Sequence, residues 1–83
     1  MIYRTRGTCS QEIEFDIEDG RVKDVQFYGG CNGNLQGISR LVEGMDAKEC
    51  IGKLKGIRCG YKDTSCPDQL AKALEKALAA PQA

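Results

Sequence analysis

The clearest pattern in the chain lies within residues 11–19, where acidic and apolar residues alternate strictly over positions 12–18. This period of two is typical of a half-buried β-strand. Its apolar positions share one face of the strand: Ile13, Phe15 and Ile17. Asp19 and Gly20 suit a two-residue hairpin turn, and a second strand-like run follows them. Residues 11–28 are therefore predicted to form a β-hairpin.

The second strand of the hairpin is predicted to contain one irregularity in its pairing with the first. Uninterrupted pairing from the turn would set Phe15 against Asp24 and mix the two faces of the hairpin. One extra residue near Lys23 or Asp24 places Phe15 opposite Val25 instead, so we expect a β-bulge there. Residues 1–6 are predicted to form a shorter first strand at an edge of the sheet.

Three later segments carry apolar residues at helical spacing, and each begins near a side chain that can cap a helix. The predicted segments run from Asn34 to Gly44, from Asp46 to Gly56 and from Ser65 to Pro81. The chain therefore predicts an α+β fold, a three-stranded antiparallel sheet followed by three helices. We expect one domain over residues 1–83.

The amino-acid composition argues against several classes of function. The 83 residues include twelve basic and twelve acidic side chains and no histidine, so the field that attracts nucleic acid or anionic lipid is missing. No apolar run is long enough to span a membrane. The chain has five cysteines, so at least one thiol would remain outside any set of disulfides within the chain. We therefore expect a cytoplasmic protein with neither nucleic acid nor membrane as partner.

The predicted frame gives the cysteines different environments. Continuing the bulge-corrected register to the open end of the hairpin places Cys9 opposite Cys31. Cys66 falls in the first turn of the last helix, where the helix dipole favours a thiolate. Cys59 lies between loop glycines that let the chain turn back towards the same point. Cys50 falls on the apolar stripe of the second helix and is interpreted as core packing.

Four converging thiols would suit a closed zinc site or an iron–sulfur cluster. The predicted metal ligands are Cys9, Cys31, Cys59 and Cys66. The chain lacks the C-x-x-C spacing of common zinc modules, so this prediction depends on the strand register. The alternative, unliganded thiols near the surface or in the core, stays open at this point.

The glycine-rich stretch "GGCNGN", residues 29–34, raises a second possibility. A glycine turn between a strand and a helix can bind an anion through backbone N–H groups. The G-x-G-x-x-G spacing of dinucleotide-binding loops is absent, and the preceding sheet is predicted to be antiparallel. A tight turn that aims Cys31 is therefore favoured over a phosphate site.

The run "TSCPD", residues 64–68, resembles the motif that names the TSCPD family. Further matches are "GTCS" at 7–10, "GGCNGNL" at 29–35 and "GIRCG" at 56–60. The resemblance implies a small four-cysteine protein, similar to the C-terminal domain of cobalamin-dependent ribonucleotide reductases. It therefore implies a role accessory to ribonucleoside-diphosphate reductase and deoxynucleotide synthesis. A chain of 83 residues cannot hold the large catalytic barrel, so catalysis by this chain alone is not expected.

The order of elements is also similar, more distantly, to iron–sulfur scaffold proteins of the IscU and NifU type. The cysteines that would fall on their cluster-ligand positions are Cys9, Cys31 and Cys66. The chain departs from that pattern at Gln11, where the scaffolds carry an acid, and at Ser65, where they carry a histidine. Cys59 would close the ligand shell and favour permanent metal binding over cluster release.

Two classes of function follow. In the first, four thiolates bind zinc, or else an iron–sulfur cluster, in a structural or interaction module whose partner is a ribonucleotide reductase or another protein. In the second, Cys59 and Cys66 form a redox pair, with Cys66 as the attacking thiolate and Cys59 as the resolving thiol.

Overall fold

A computed structural model of the protein describes residues 1–5, 10–29 and 32–79. Its strands are β1 (Ile2–Arg4), β2 (Ser10–Glu18) and β3 (Arg21–Gly29), and its helices are α1 (Asn32–Val42), α2 (Ala47–Leu54) and α3 (Cys66–Ala79). The strands form one antiparallel sheet in the order β1-β2-β3. The predicted α+β fold, three strands followed by three helices, is confirmed.

The hairpin between β2 and β3 turns at Asp19 and Gly20, whose φ angles are +52° and +77°. A register shift follows the pairs nearest the turn, and it leaves Phe15 opposite two residues, Asp24 and Val25. Asp24 has a φ angle of +54°, in the left-handed region that the first residue of one class of bulge adopts. The predicted bulge is confirmed, and it keeps the apolar residues of both strands on one face.

A second register shift lies at the open end of the hairpin and was not predicted. Glu12 pairs with Tyr28, but Ser10 pairs with Gly29. The constant register that we used to place Cys9 opposite Cys31 therefore does not extend to Ser10, and that step of the prediction is wrong. Both cysteines lie outside the described residues, so their predicted proximity is untested.

One face of the sheet and the three helices enclose the core. Helix α1 packs against β3, and α2 packs against α3. The buried core residues are Ile13, Phe15, Val22, Val25, Val42, Ala47, Cys50, Leu70, Ala73 and Leu74. Cys50 is completely buried, which confirms its interpretation as core packing.

The helix boundaries differ from prediction by a few residues. Asp46 caps α2 by accepting a 3.0 Å hydrogen bond from the backbone N–H of Glu49, as predicted. Helix α1 begins at Asn32, two residues before the expected cap at Asn34. The helical spacing of apolar residues in α3 also predicts that Leu78 is buried, but Leu78 is 39% exposed because it lies in the last turn, beyond the core. The predicted end at Pro81 lies outside the described residues. No described helix is long and apolar enough to cross a membrane.

Candidate functional site

The residues 64–68 form the corner where the chain enters α3. The backbone N–H of Asp68 donates a 3.2 Å hydrogen bond to Oγ of Ser65, which confirms Ser65 as the helix cap. The same Ser65 hydroxyl donates a 2.7 Å hydrogen bond to the carbonyl of Ile57. One buried side chain therefore caps the helix and holds the preceding loop against it.

The Asp68 carboxylate makes the second connection between loop and helix. Its Oδ1 accepts a 2.7 Å hydrogen bond from the backbone N–H of Gly56. Its Oδ2 accepts a hydrogen bond from the Thr64 hydroxyl and lies 3.3 Å from Nζ of Lys72. Both carboxylate oxygens are thus engaged within the protein, and only 3% of the residue is exposed.

Asp68 is held in its ionised form. Burial is the largest single influence and opposes ionisation, but hydrogen bonds from Thr64, Gly56 and Lys72, with the positive charge of Lys72, together lower the pKa of the carboxyl below its ordinary value. A buried carboxylate with this many donors is a structural anchor.

Thr64 extends the network towards Cys59. Its hydroxyl accepts a 2.9 Å hydrogen bond from Nε2 of Gln69, and its carbonyl accepts a 3.2 Å hydrogen bond from the backbone N–H of Cys59. Every buried side-chain nitrogen and oxygen in the described part of the chain has a hydrogen-bond partner. The position of the Cys59 backbone therefore depends on the polar network at the start of α3.

Cys59 and Cys66 line the same groove, which has a volume of about 570 Å³. We call it the cysteine groove and define it by six of its lining residues: Leu35, Ile38, Leu41, Ile57, Cys59 and Cys66. It lies between one side of α1, the loop after α2 and the start of α3. Cys59 is exposed and Cys66 is partly buried.

The four predicted metal ligands are only partly within the described residues. Cys59 and Cys66 share the cysteine groove, while Cys9 and Cys31 lie outside the described residues. Gly33, two positions after Cys31 in the chain, also lines the groove. In the described ranges, no group of three or more histidine, cysteine, aspartate or glutamate side chains could hold a metal ion. The four-cysteine site stays a prediction.

Sequence reasoning missed the residues that build this corner. The sequence predicts a helix that begins at Ser65 and contains Asp68 in its first turn, but nothing in it indicates that Asp68 accepts a hydrogen bond from Gly56, twelve residues earlier. Thr64 is noted only as the first residue of the TSCPD run, and Gln69 is not predicted to have a role. The burial of polar residues around the helix start indicates this network. That burial is visible only in the folded structure, where the loop packs back against the helix.

A family model for the TSCPD domain matches residues 1–78, including this corner and all five cysteines. The chain belongs to the TSCPD-domain family. No curated protein and no solved structure matches the chain. The expected similarity to IscU- and NifU-type scaffolds is therefore not confirmed, and the link of this TSCPD domain to ribonucleotide reductase is untested.

Proposed function

We propose that this TSCPD domain is a metal-binding interaction module that holds zinc through Cys9, Cys31, Cys59 and Cys66. The observation that carries the proposal is the shared groove of Cys59 and Cys66. Hydrogen bonds from residues of the TSCPD run hold the backbone near both thiols. Helix α1, which follows Cys31 directly in the chain, forms the opposite wall of the groove.

The donor set fits zinc on chemical grounds. The chain has no histidine, and Asp68, the buried carboxylate among the described residues, uses both oxygens within the protein. Cys50 is in the core, away from the groove lining. Four cysteines remain as soft ligands, and four thiolates form the closed tetrahedral shell of structural zinc sites. An iron–sulfur cluster on the same thiolates is the alternative cofactor.

A structural metal also suits the size of the domain. Small domains of this length bury a modest core and gain stability from metals or other cross-links. Here the metal would join the hairpin and the start of α1 to the loop and helix that carry Cys59 and Cys66. The proposed setting is the cytoplasm, where thiols stay reduced and available as ligands.

The biological role proposed for the module is accessory to a ribonucleotide reductase, and so to deoxynucleotide synthesis. The support is the family resemblance, because a similar domain stands at the C-terminal end of cobalamin-dependent reductases. A direct test uses purified reductase lacking its own C-terminal domain and measures binding of this chain by sedimentation. Specific complex formation supports the role; absence of binding to such reductases argues against it and leaves metal binding untouched.

Metal binding is tested by elemental analysis and absorption spectra of protein purified in air and without oxygen. We expect about one zinc per chain and no visible absorption bands. Serine variants of each of the four ligands should lose most of the metal, while Cys50→Ala, the matched control, should retain it. Iron with sulfide would identify the cluster instead. Metal-free protein that forms a Cys59–Cys66 disulfide on mild oxidation would overturn the proposal in favour of the redox pair.

A further inference from the structure

The wall of the cysteine groove is apolar well beyond the two thiols. Leu41 on α1 is 78% exposed, and Ile57 across the groove is 42% exposed. Ile38 is partly buried between Leu41 and the buried Leu35 on the same helix. Large apolar side chains are thus left uncovered around one concave surface.

The groove is also larger than a metal site requires. Its volume of about 570 Å³ falls within the range of about 300–1,000 Å³ that is usual for ligand-binding clefts. A single ion bound through thiolates at Cys59 and Cys66 would occupy only a small part of this volume. That remaining surface has the dimensions to receive several side chains of another molecule.

Apart from the two cysteines, the ionisable side chains that line the groove are basic. Arg58, which is exposed, and Lys62 both contribute to the lining. No carboxylate among the described residues lines it. An apolar surface flanked by two cations and no acid is complementary to an apolar segment that carries carboxylates.

We infer that the cysteine groove binds a short segment of a partner protein with apolar side chains flanked by aspartate or glutamate. The apolar side chains cover Leu41 and Ile57, and the carboxylates lie near Arg58 and Lys62. A second copy of this chain fits less well. In a two-fold pairing of this surface, Arg58 and Lys62 of both copies would lie in one interface, where their positive charges repel. The inference deepens the interaction role proposed above and does not require the metal.

The test selects peptides of about twelve residues from a random display library against the full chain. We expect the enriched peptides to combine apolar residues with aspartate or glutamate. The best peptide is then titrated into isotope-labelled protein, and the amide resonances of Leu41, Ile57 and Arg58 should shift most. Affinity should fall as salt is added, since two cations contribute.

Three variants locate the contact. Leu41→Ser should weaken peptide binding about tenfold, because an exposed leucine is lost from the contact surface. Arg58→Glu should also weaken it, whereas Lys48→Glu, the same charge change on the exposed face of α2, should leave the affinity within about twofold. Leu41→Ser should keep the metal content of the unchanged protein, which separates peptide binding from metal binding.

Four outcomes would overturn the inference. They are the absence of enrichment, selection of basic peptides, resonance shifts confined to another surface, and self-association that Leu41→Ser abolishes. Sedimentation equilibrium measures the last of these and would assign the groove to a second copy. Peptide binding by metal-free protein would support the inference even if the zinc proposal failed.

Discussion

The backbone N–H of Gly56 donates a 2.7 Å hydrogen bond to Oδ1 of Asp68, which lies in the first turn of α3. Gly56 ends the turn after α2 and has a φ angle of +89°, a conformation that favours glycine. The bond therefore fixes the point at which the chain leaves α2 on its way to Cys59. Together with the bond from Ser65 to Ile57, it holds the loop that carries Cys59 against the helix that begins at Cys66.

Replacing Asp68 by alanine should destabilise the protein by about 2–3 kcal/mol, because it leaves the Gly56 N–H and the buried Thr64 hydroxyl without their acceptor. Asp68→Asn should cost less, since its carbonyl oxygen can still accept from Gly56. Urea unfolding of metal-free protein measures both. Asp63→Ala, in the exposed part of the same loop, is the control and should change the free energy of unfolding by less than about 0.5 kcal/mol. Equal effects at both positions would contradict the role of Asp68 as anchor.

The same carboxylate predicts a pH dependence. Because folding lowers the pKa of Asp68, its contribution to stability is complete above the ordinary aspartate value of about 3.9 and is lost as the pH falls through the lowered folded value. The stability difference between the unchanged protein and Asp68→Asn should therefore be largest near neutral pH and should shrink in acid. Urea midpoints of both proteins, measured from about pH 7 to about pH 2, test this. A difference that is constant across that range would contradict it.

The sequence predicted most where one local rule decided the structure. The bulge followed from keeping Phe15 and Val25 on one face, and the cap at Ser65 followed from an acceptor before a helical stripe. The second register shift near Ser10 had no such signal, because the polar residues there satisfy either face. The bond between Gly56 and Asp68 joins distant positions through a backbone group, which no pattern of side chains reports. The predicted metal site depends on a strand register that changes between Glu12 and Ser10, next to Cys9.

Cys50 offers a test of the core that is independent of the groove. The side chain is completely buried, and burial raises the pKa of its thiol. Cys50→Ala should destabilise the protein by about 1–2 kcal/mol by leaving a small cavity, and Cys50→Ser should cost more because it buries a hydroxyl. Urea unfolding in the presence of a chelator measures both, with the exposed Cys59→Ala as the control at less than about 0.5 kcal/mol. If Cys50→Ser were neutral, the thiol would not be in a closed apolar core.

The bulge at Asp24 makes a prediction about backbone conformation. Asp24 has a φ angle of +54°, and its N–H donates a 2.9 Å hydrogen bond to Oε1 of Glu43. A β-branched residue is strained at this φ, so Asp24→Val should cost about 1–2 kcal/mol, while Asp24→Gly should stay within about 0.5 kcal/mol because glycine adopts the conformation freely. Gln26→Val, at an exposed position of β3 without a positive φ, is the matched control and should be neutral or stabilising. If Asp24→Val matched Gln26→Val in thermal and urea unfolding, the strands would pair without the bulge, and the apolar face that joins Phe15 to Val25 would need another explanation.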